Sequence, residues 1–186
     1  MERALVLVKP DGVERALVGK VIDRFESAGL KVVALKMIKA TEKMAGEHYM
    51  ADEEWFLSVG KKTKQSYKEK GLEVNETERE IGVRVRSLLM KELTRSPIVA
   101  MVLEGNAANF VARKIAGATE PRKADPATIR GTFSVDSYER ADEMKRPVRN
   151  LAHVSEDDKA AKREIKVWFT DDEIHEYKRA DQDVIY

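Results

Sequence analysis

The stretch Arg149-Asn150-Leu151-Ala152-His153-Val154-Ser155-Glu156-Asp157 sets a histidine beside a hydroxyl and two carboxylates. A neutral imidazole is a competent nucleophile near neutral pH, and a phosphoryl group is a fitting electrophile for it. Downstream, Ala161, Ile165 and Trp168 are spaced by four and three, which predicts a helix over Asp157 to Phe169 with one buried face. A helix starting beside His153 would turn backbone N–H groups and the positive end of its dipole towards an anion bound there. Glu164, one turn before Trp168, is placed to reach back and order the loop. On local spacing alone a plainer reading is stronger: an ordinary histidine, with Ser155 as helix N-cap and Glu156 and Asp157 as first-turn charge.

Two distant features bear on this, each with a plainer reading of its own, a solvated lysine in the first and a surface charge cluster in the second. The short apolar run Ala4 to Val8 ends in Lys9-Pro10-Asp11-Gly12, a buried strand running into a turn, and a lysine leaving a strand there can present its ammonium to a phosphate. The second is the long, proline-punctuated loop from Ala118 to Gly131, which follows Arg113 and carries Thr119 and Arg130. Guanidinium suits phosphate because its planar fork bonds two oxygens at once. One decoy is set aside: six residues separate Gly12 from Gly19-Lys20 where a phosphate loop needs four, and Val21 stands where Ser or Thr is required.

Asn150, His153 and Ser155, with Lys9-Pro10-Asp11-Gly12-Val13, His48-Tyr49, Thr119-Glu120-Pro121 and Thr128-Ile129-Arg130-Gly131, resemble the nucleoside diphosphate kinase family. The resemblance spans most of residues 3 to 186. It implies a ferredoxin-like α/β (α+β) sandwich and transfer of the terminal phosphoryl of a nucleoside triphosphate to a nucleoside diphosphate, in two steps through phosphorylated His153. On the matching positions it implies that Lys9, Arg113, Thr119 and Arg130 hold phosphates. Asn150 would contact ribose hydroxyl or phosphate, and Tyr49, Ser155 and Glu164 would order the histidine. It also places an aromatic against the nucleobase at Trp55 or Phe56; Phe56 is favoured, and His48 is read as structural. Mg²⁺ is expected on the nucleotide phosphates, watered to Glu156, with no metal held by the protein alone. A homo-oligomer is implied, a hexamer favoured. The chain departs from the family at Val154, where a small residue is usual and positive φ would be costly. The competing class is a nucleotide-binding or protein-interaction module that keeps the fold without turnover.

The elements that must carry these residues follow from pattern. Val18, Val21, Ile22 and Phe25 recur at helical spacing before Gly29, and Leu30 to Ala40 is a second strand, apolar on much of both faces. Thr41 caps a helix through Tyr49, Pro97 to Leu103 is a third strand, and Asn106 caps a helix over Ala107 to Ala116 with Phe110, Val111 and Ile115 inward. Gly131 to Val135 is taken as the fourth strand, giving a four-stranded antiparallel sheet covered by helices. Thr170 with Glu173 opens a last short helix, with His175 on its polar side, and Val184-Ile185-Tyr186 is apolar enough to dock on a neighbouring surface.

Two stretches, at about 58–96 and 136–147, interrupt the family pattern. In the first, Thr77 and Glu80 form a capping box, and Ile81, Val85, Leu88, Leu89 and Glu92 follow at helical spacing. It adjoins the expected base-binding region and is read as shaping nucleotide access. The second is expected to be a short helix or extended arm.

With 186 residues and 42% hydrophobic composition, the chain supports one full core, so a single domain spanning 1–186 is expected. Thirty-four basic and 33 acidic residues leave a net charge of +1, so no overall field recruits nucleic acid or membrane. There is no cysteine, which excludes disulfides and thiolate chemistry. The apolar start of the chain is too short for a signal peptide or membrane span, so a cytoplasmic protein is expected.

Overall fold

The computed structural model describes every residue except Lys70, Leu72 and Tyr186. Four strands, β1 (Glu2–Val8), β2 (Lys31–Ile38), β3 (Ile98–Gly105) and β4 (Ala152–Val154), form one antiparallel sheet in the order β2-β3-β1-β4. This is the order of a ferredoxin-like sandwich. Helices cover both of its faces, which explains why β1 and β3 read as continuous apolar runs. From β1, Ala4, Val6 and Val8 enter one core with Val99, Met101 and Leu103, while Leu5 and Leu7 enter the other with Ile98, Ala100 and Val102.

A short helix, α1 (Pro10–Glu14), follows β1, and the first core is closed by α2 (Val18–Ser27), α6 (Ala108–Ala116) and α7 (Ile129–Phe133). The stop after α2 is a Schellman turn: Gly29 takes φ +91°, its N–H bonds the Glu26 carbonyl, and the Leu30 N–H bonds that of Phe25. The second core is closed by α3 (Glu42–His48), α5 (Glu78–Thr94) and α9 (Asp158–Trp168), through Ala45, Leu93, Ile165 and Trp168. Thr41 caps α3, accepting the Met44 N–H at 3.2 Å.

The 58–96 stretch folds as an antiparallel pair, α4 (Glu53–Glu69) and α5, whose backbones nearly touch. A Cβ at Gly82 would lie 2.3 Å from the Phe56 carbonyl oxygen, and one at Gly60 1.8 Å from that of Glu78. The Thr77–Glu80 capping box starts α5. Arg86 anchors α5 to the end of α3 by donating to the Gly46 and Tyr49 carbonyls. The second charged stretch forms α8 (Tyr138–Glu143), held by Asp136 paired with Arg146 at 2.6 Å and tied to α4 by Tyr67 donating to Asp142 at 3.1 Å.

Several expectations are corrected. Gly131 to Val135 is not the fourth strand: Thr128 accepts the Gly131 N–H and starts α7, Val135 is 98% exposed, and the slot beside β1 belongs to Ala152–Val154. The β-branched character of that run is outweighed by the cap and by the approach of Asp125 to Gly131. Asn106 does not cap α6; Ala107, in the left-handed region at φ 47°, occupies that position. Phe110 points outward, 71% exposed. The Thr170–Glu173 box opens only a 3-10 turn, Asp171–Glu173, and His175 is exposed as expected. Ile185 lies against Gly29 of the same chain, whereas Tyr186 is outside the described residues. Among the described residues, no helix is long and apolar enough to cross a membrane.

Candidate active site

His153 lies on β4, opposite Leu7 of β1, with Val154 extended beside it and paired with Val6. The left-handed conformation of this loop falls at Leu151, φ 69°, where the Ala152 N–H bonds the Asn150 carbonyl in a γ-turn. Val154 therefore carries no such backbone strain. The turn is held from β1's end: the Asp11 carboxylate accepts the Leu151 N–H at 3.0 Å, and the Lys9 N–H bonds the Leu151 carbonyl at 2.7 Å.

Ser155 is not a helix cap. Fully buried, it accepts the Leu5 N–H at 3.1 Å and donates to the Glu164 carboxylate at 2.9 Å. Asp157 caps α9 instead, accepting the Ala160 N–H at 2.7 Å. From α9, Glu164 meets Nε2 of His153 at 2.8 Å with the same oxygen, and Arg163 donates to its other oxygen at 3.1 Å. Burial pushes the Glu164 carboxyl up, but hydrogen bonds from His153 and Ser155 outweigh it and hold the pKa below the ordinary value. An ionised carboxylate accepts only, so Nε2 of His153 bears the proton and Nδ1 keeps the lone pair.

A cleft of about 1260 Å³ opens on this arrangement. Lys9, Arg113, Thr119, Arg130, Asn150, Tyr49 and Glu164 all line it with His153. Lys9 is buried, its ammonium donating to Oδ1 of Asn150 at 2.8 Å, and burial lowers its pKa. The Asn150 amide in turn donates to the Thr119 carbonyl at 2.8 Å, so the side chain cross-links three loops. Arg130 gives one N–H from each of its three nitrogens to the carbonyls of Asn150, Gly117 and Ala152, which leaves two N–H groups for a phosphate; burial, with Arg113 nearby, lowers its pKa to about 10, which leaves it cationic at neutral pH. Arg113 is exposed on α6. Burial pushes the Tyr49 phenol above its ordinary value, so it stays an O–H donor. The first turn of α9 and Glu156 also border the cleft.

Of the two aromatics, Trp55 lines the cleft and Phe56 does not. Phe56 is 6% exposed, because the helical rotation from Trp55 turns it towards the α4–α5 contact. Sequence reasoning missed three more residues. Phe110 borders the cleft rather than the core, and Asp11 fixes the turn before His153. His48, taken as structural, meets the His153 ring edge to face at 4.4 Å between centroids; its adjacency to Tyr49 was the available signal. The polar atoms of His48, His153 and Glu164 lie within 4.8 Å of one another; Glu164 takes Nε2 of His153, and the Trp168 indole donates to Nδ1 of His48.

The chain matches the family description "Nucleoside diphosphate kinase" over residues 2–64 and 84–174, the gap falling within the helical pair α4–α5. A nucleoside diphosphate kinase of Pyrobaculum aerophilum is 44% identical over 181 residues, 95% of this chain and 99% of that one. The crystal structure of an NDP kinase from the same organism superposes with a TM-score of 0.91 at 42% identity, covering 94% of this chain and 99% of that one. A transition-state mimic of the Borrelia burgdorferi enzyme, with bound vanadate and ADP, has a TM-score of 0.79 at 38% identity, covering 97% and 94%. A histidine braced by a buried carboxylate and facing cationic walls, on a sheet shared nearly end to end with these proteins, makes the chain a member of the nucleoside diphosphate kinase family.

Proposed function

We propose that this protein transfers the terminal phosphoryl group of a nucleoside triphosphate to a nucleoside diphosphate by a ping-pong mechanism through a phosphohistidine at His153. The observation that supports it most directly is the 2.8 Å contact of Nε2 with the buried Glu164 carboxylate, which leaves Nδ1 as nucleophile. In the first step the Nδ1 lone pair bonds to the γ-phosphorus while the bond from that phosphorus to the β–γ bridging oxygen breaks, and the diphosphate leaves. In the second step a terminal oxygen of another nucleoside diphosphate attacks the phosphohistidine, and the N–P bond breaks. No proton need move at Nε2; Glu164 stabilises the positive charge that the ring gains in the first step and gives up in the second.

Phosphoryl transfer is accelerated by positioning and by neutralising charge. Lys9, Arg113, Arg130 and Thr119 hold the phosphates. Asn150 keeps the Lys9 ammonium aimed and touches ribose or phosphate, and the Tyr49 hydroxyl and Ser155 order the site. Trp55 provides the face for the base, which admits any base because each has a π-face. Mg²⁺ would arrive on the nucleotide phosphates and would neutralise their charge; Glu156, an exposed acid bordering the cleft, would hold it through water, since no set of protein ligands among the described residues encloses it there. The Borrelia burgdorferi relative's complex with vanadate and ADP supports the nucleotide as partner. We place the protein in the cytoplasm as a single domain and a homo-oligomer, with a hexamer favoured.

The test is incubation with Mg²⁺ and γ-labelled ATP without acceptor. Acid-labile label on the wild type, absent from His153→Ala and discharged by GDP or CDP, is expected. ATP binding with no label on the wild type would overturn the mechanism.

A further inference from the structure

His48 has no part in the mechanism above, yet its surroundings are specific. It closes α3, is 3% exposed, and meets the His153 ring edge to face, with centroids 4.4 Å apart and planes at 84°. Its two nitrogens differ. Nδ1 accepts the indole N–H of buried Trp168 at 3.3 Å. An indole nitrogen can only donate, so the proton of the neutral imidazole sits on Nε2. That nitrogen is buried with no hydrogen-bond partner among the described residues. Buried donors are rarely left so, but an aromatic face can take an N–H in place of an oxygen, and the neighbouring rings of His153 and Tyr49 offer such faces. Burial first, then the proximity of His153, Arg163 and Lys9, keeps the His48 pKa well below that of an ordinary histidine, so the ring stays neutral.

The same region is clamped to the carboxylate that holds His153. Arg163 donates to the Glu47 and His48 carbonyls at 3.2 and 3.3 Å and to Glu164 at 3.1 Å. One guanidinium therefore ties the end of α3 to the brace on α9.

We propose that His48 is a positioning residue for the phosphoryl-accepting ring, its edge bearing on His153 and fixing the plane of that ring while Glu164 fixes Nε2. A single hydrogen bond leaves an imidazole free to rock about its Cβ–Cγ bond. The perpendicular contact removes that freedom, and in-line attack tolerates little error in the direction of Nδ1. This inference rests on the phosphohistidine reading of His153.

The experiment is single-turnover phosphorylation of the full chain by labelled ATP with Mg²⁺, beside the ADP dissociation constant, for wild type, His48→Ala, His48→Leu and His48→Phe. Alanine, and leucine with its bulk but no flat edge, are expected to slow phosphoenzyme formation about 10- to 100-fold with ADP affinity within about twofold. Phenylalanine, whose ring edge is also positively polarised, is expected to return the rate to within about fivefold of wild type. Folded alanine or leucine variants phosphorylated at the wild-type rate, or a phenylalanine variant no faster than they are, would overturn the proposal. Carbon-13 relaxation at the His153 ring tests the wedge whether or not the protein turns over: greater ring motion in His48→Leu supports it, and unchanged motion sinks it. Wild-type protein that binds ATP without taking up label would count against the phosphohistidine reading instead.

Discussion

Replacing Glu164 by glutamine isolates the charge that braces the nucleophile. One oxygen of this 5% exposed residue takes both the Nε2 of His153 at 2.8 Å and the Ser155 hydroxyl at 2.9 Å. Glutamine keeps the shape and an acceptor but removes the negative charge as the His153 ring becomes positive. A hydrogen bond to a charged group contributes about 1.5–3 kcal/mol and a neutral one about 0.5–1.5 kcal/mol, so the substitution should cost roughly 1–1.5 kcal/mol in the transition state. At about 1.4 kcal/mol per factor of ten, phosphoenzyme formation should slow roughly 5- to 15-fold. Rapid-quench measurement with labelled ATP, paired with ADP affinity as a control expected to stay unchanged, reads this directly. A glutamine variant within twofold of wild type would refute the role given to the carboxylate. A second readout comes from linkage. The folded pKa of Glu164 is depressed, so its contribution to stability is present above the ordinary carboxylate value, about 4.3, and is lost as pH falls through the folded value. The difference in Tm between wild type and Glu164→Gln should therefore shrink as pH falls from 5 towards 3.

Three further outcomes are expected. Trp55→Ala should raise KM for purine and pyrimidine diphosphates alike by roughly 5- to 150-fold, from about 1–3 kcal/mol of lost stacking, whereas Phe56→Ala should act mainly on stability, by about 3–5 kcal/mol; steady-state kinetics beside urea melts separate them, and the reverse pattern would exchange the two roles. Gly82→Ala drives a methyl into the Phe56 carbonyl and should cost about 1–3 kcal/mol, or several degrees in Tm, and calorimetry showing no change would mean that α4 and α5 are not so closely apposed. Because His48 is held neutral, the stability it contributes is complete above its ordinary pKa of about 6.5 and declines below it, by up to about 1.4 kcal/mol per pH unit, until its folded value is reached. Wild type should therefore lose more Tm than His48→Phe between pH 7 and 5, and equal losses would contradict the depressed value.

Local signals in the chain determined much of this protein without help. The apolar run at Ala4–Val8 is a strand because every residue of it can be buried; Gly29 ends a helix because it accepts φ +91°; and the Thr77–Glu80 box starts α5, since each of these depends on neighbours a few residues away. The ordered motifs around His153, with Lys9, Arg113 and Arg130, named the chemistry through the family they resemble, whereas local spacing alone favoured the plainer reading of the histidine. What spacing could not decide was which distant groups meet. Gly131 to Val135 has strand composition yet forms α7, because the Thr128 cap and the claim of Ala152–Val154 on the edge of β1 override propensity. Trp55 and Phe56 are adjacent in sequence, and only the packing of α4 on α5 turns one to the cleft and the other to the core. His48 and Trp168 stand 120 residues apart, and His153 lies between them in sequence; the tertiary fold alone brings α3 and α9 together and makes a bystander histidine a neighbour of the nucleophile.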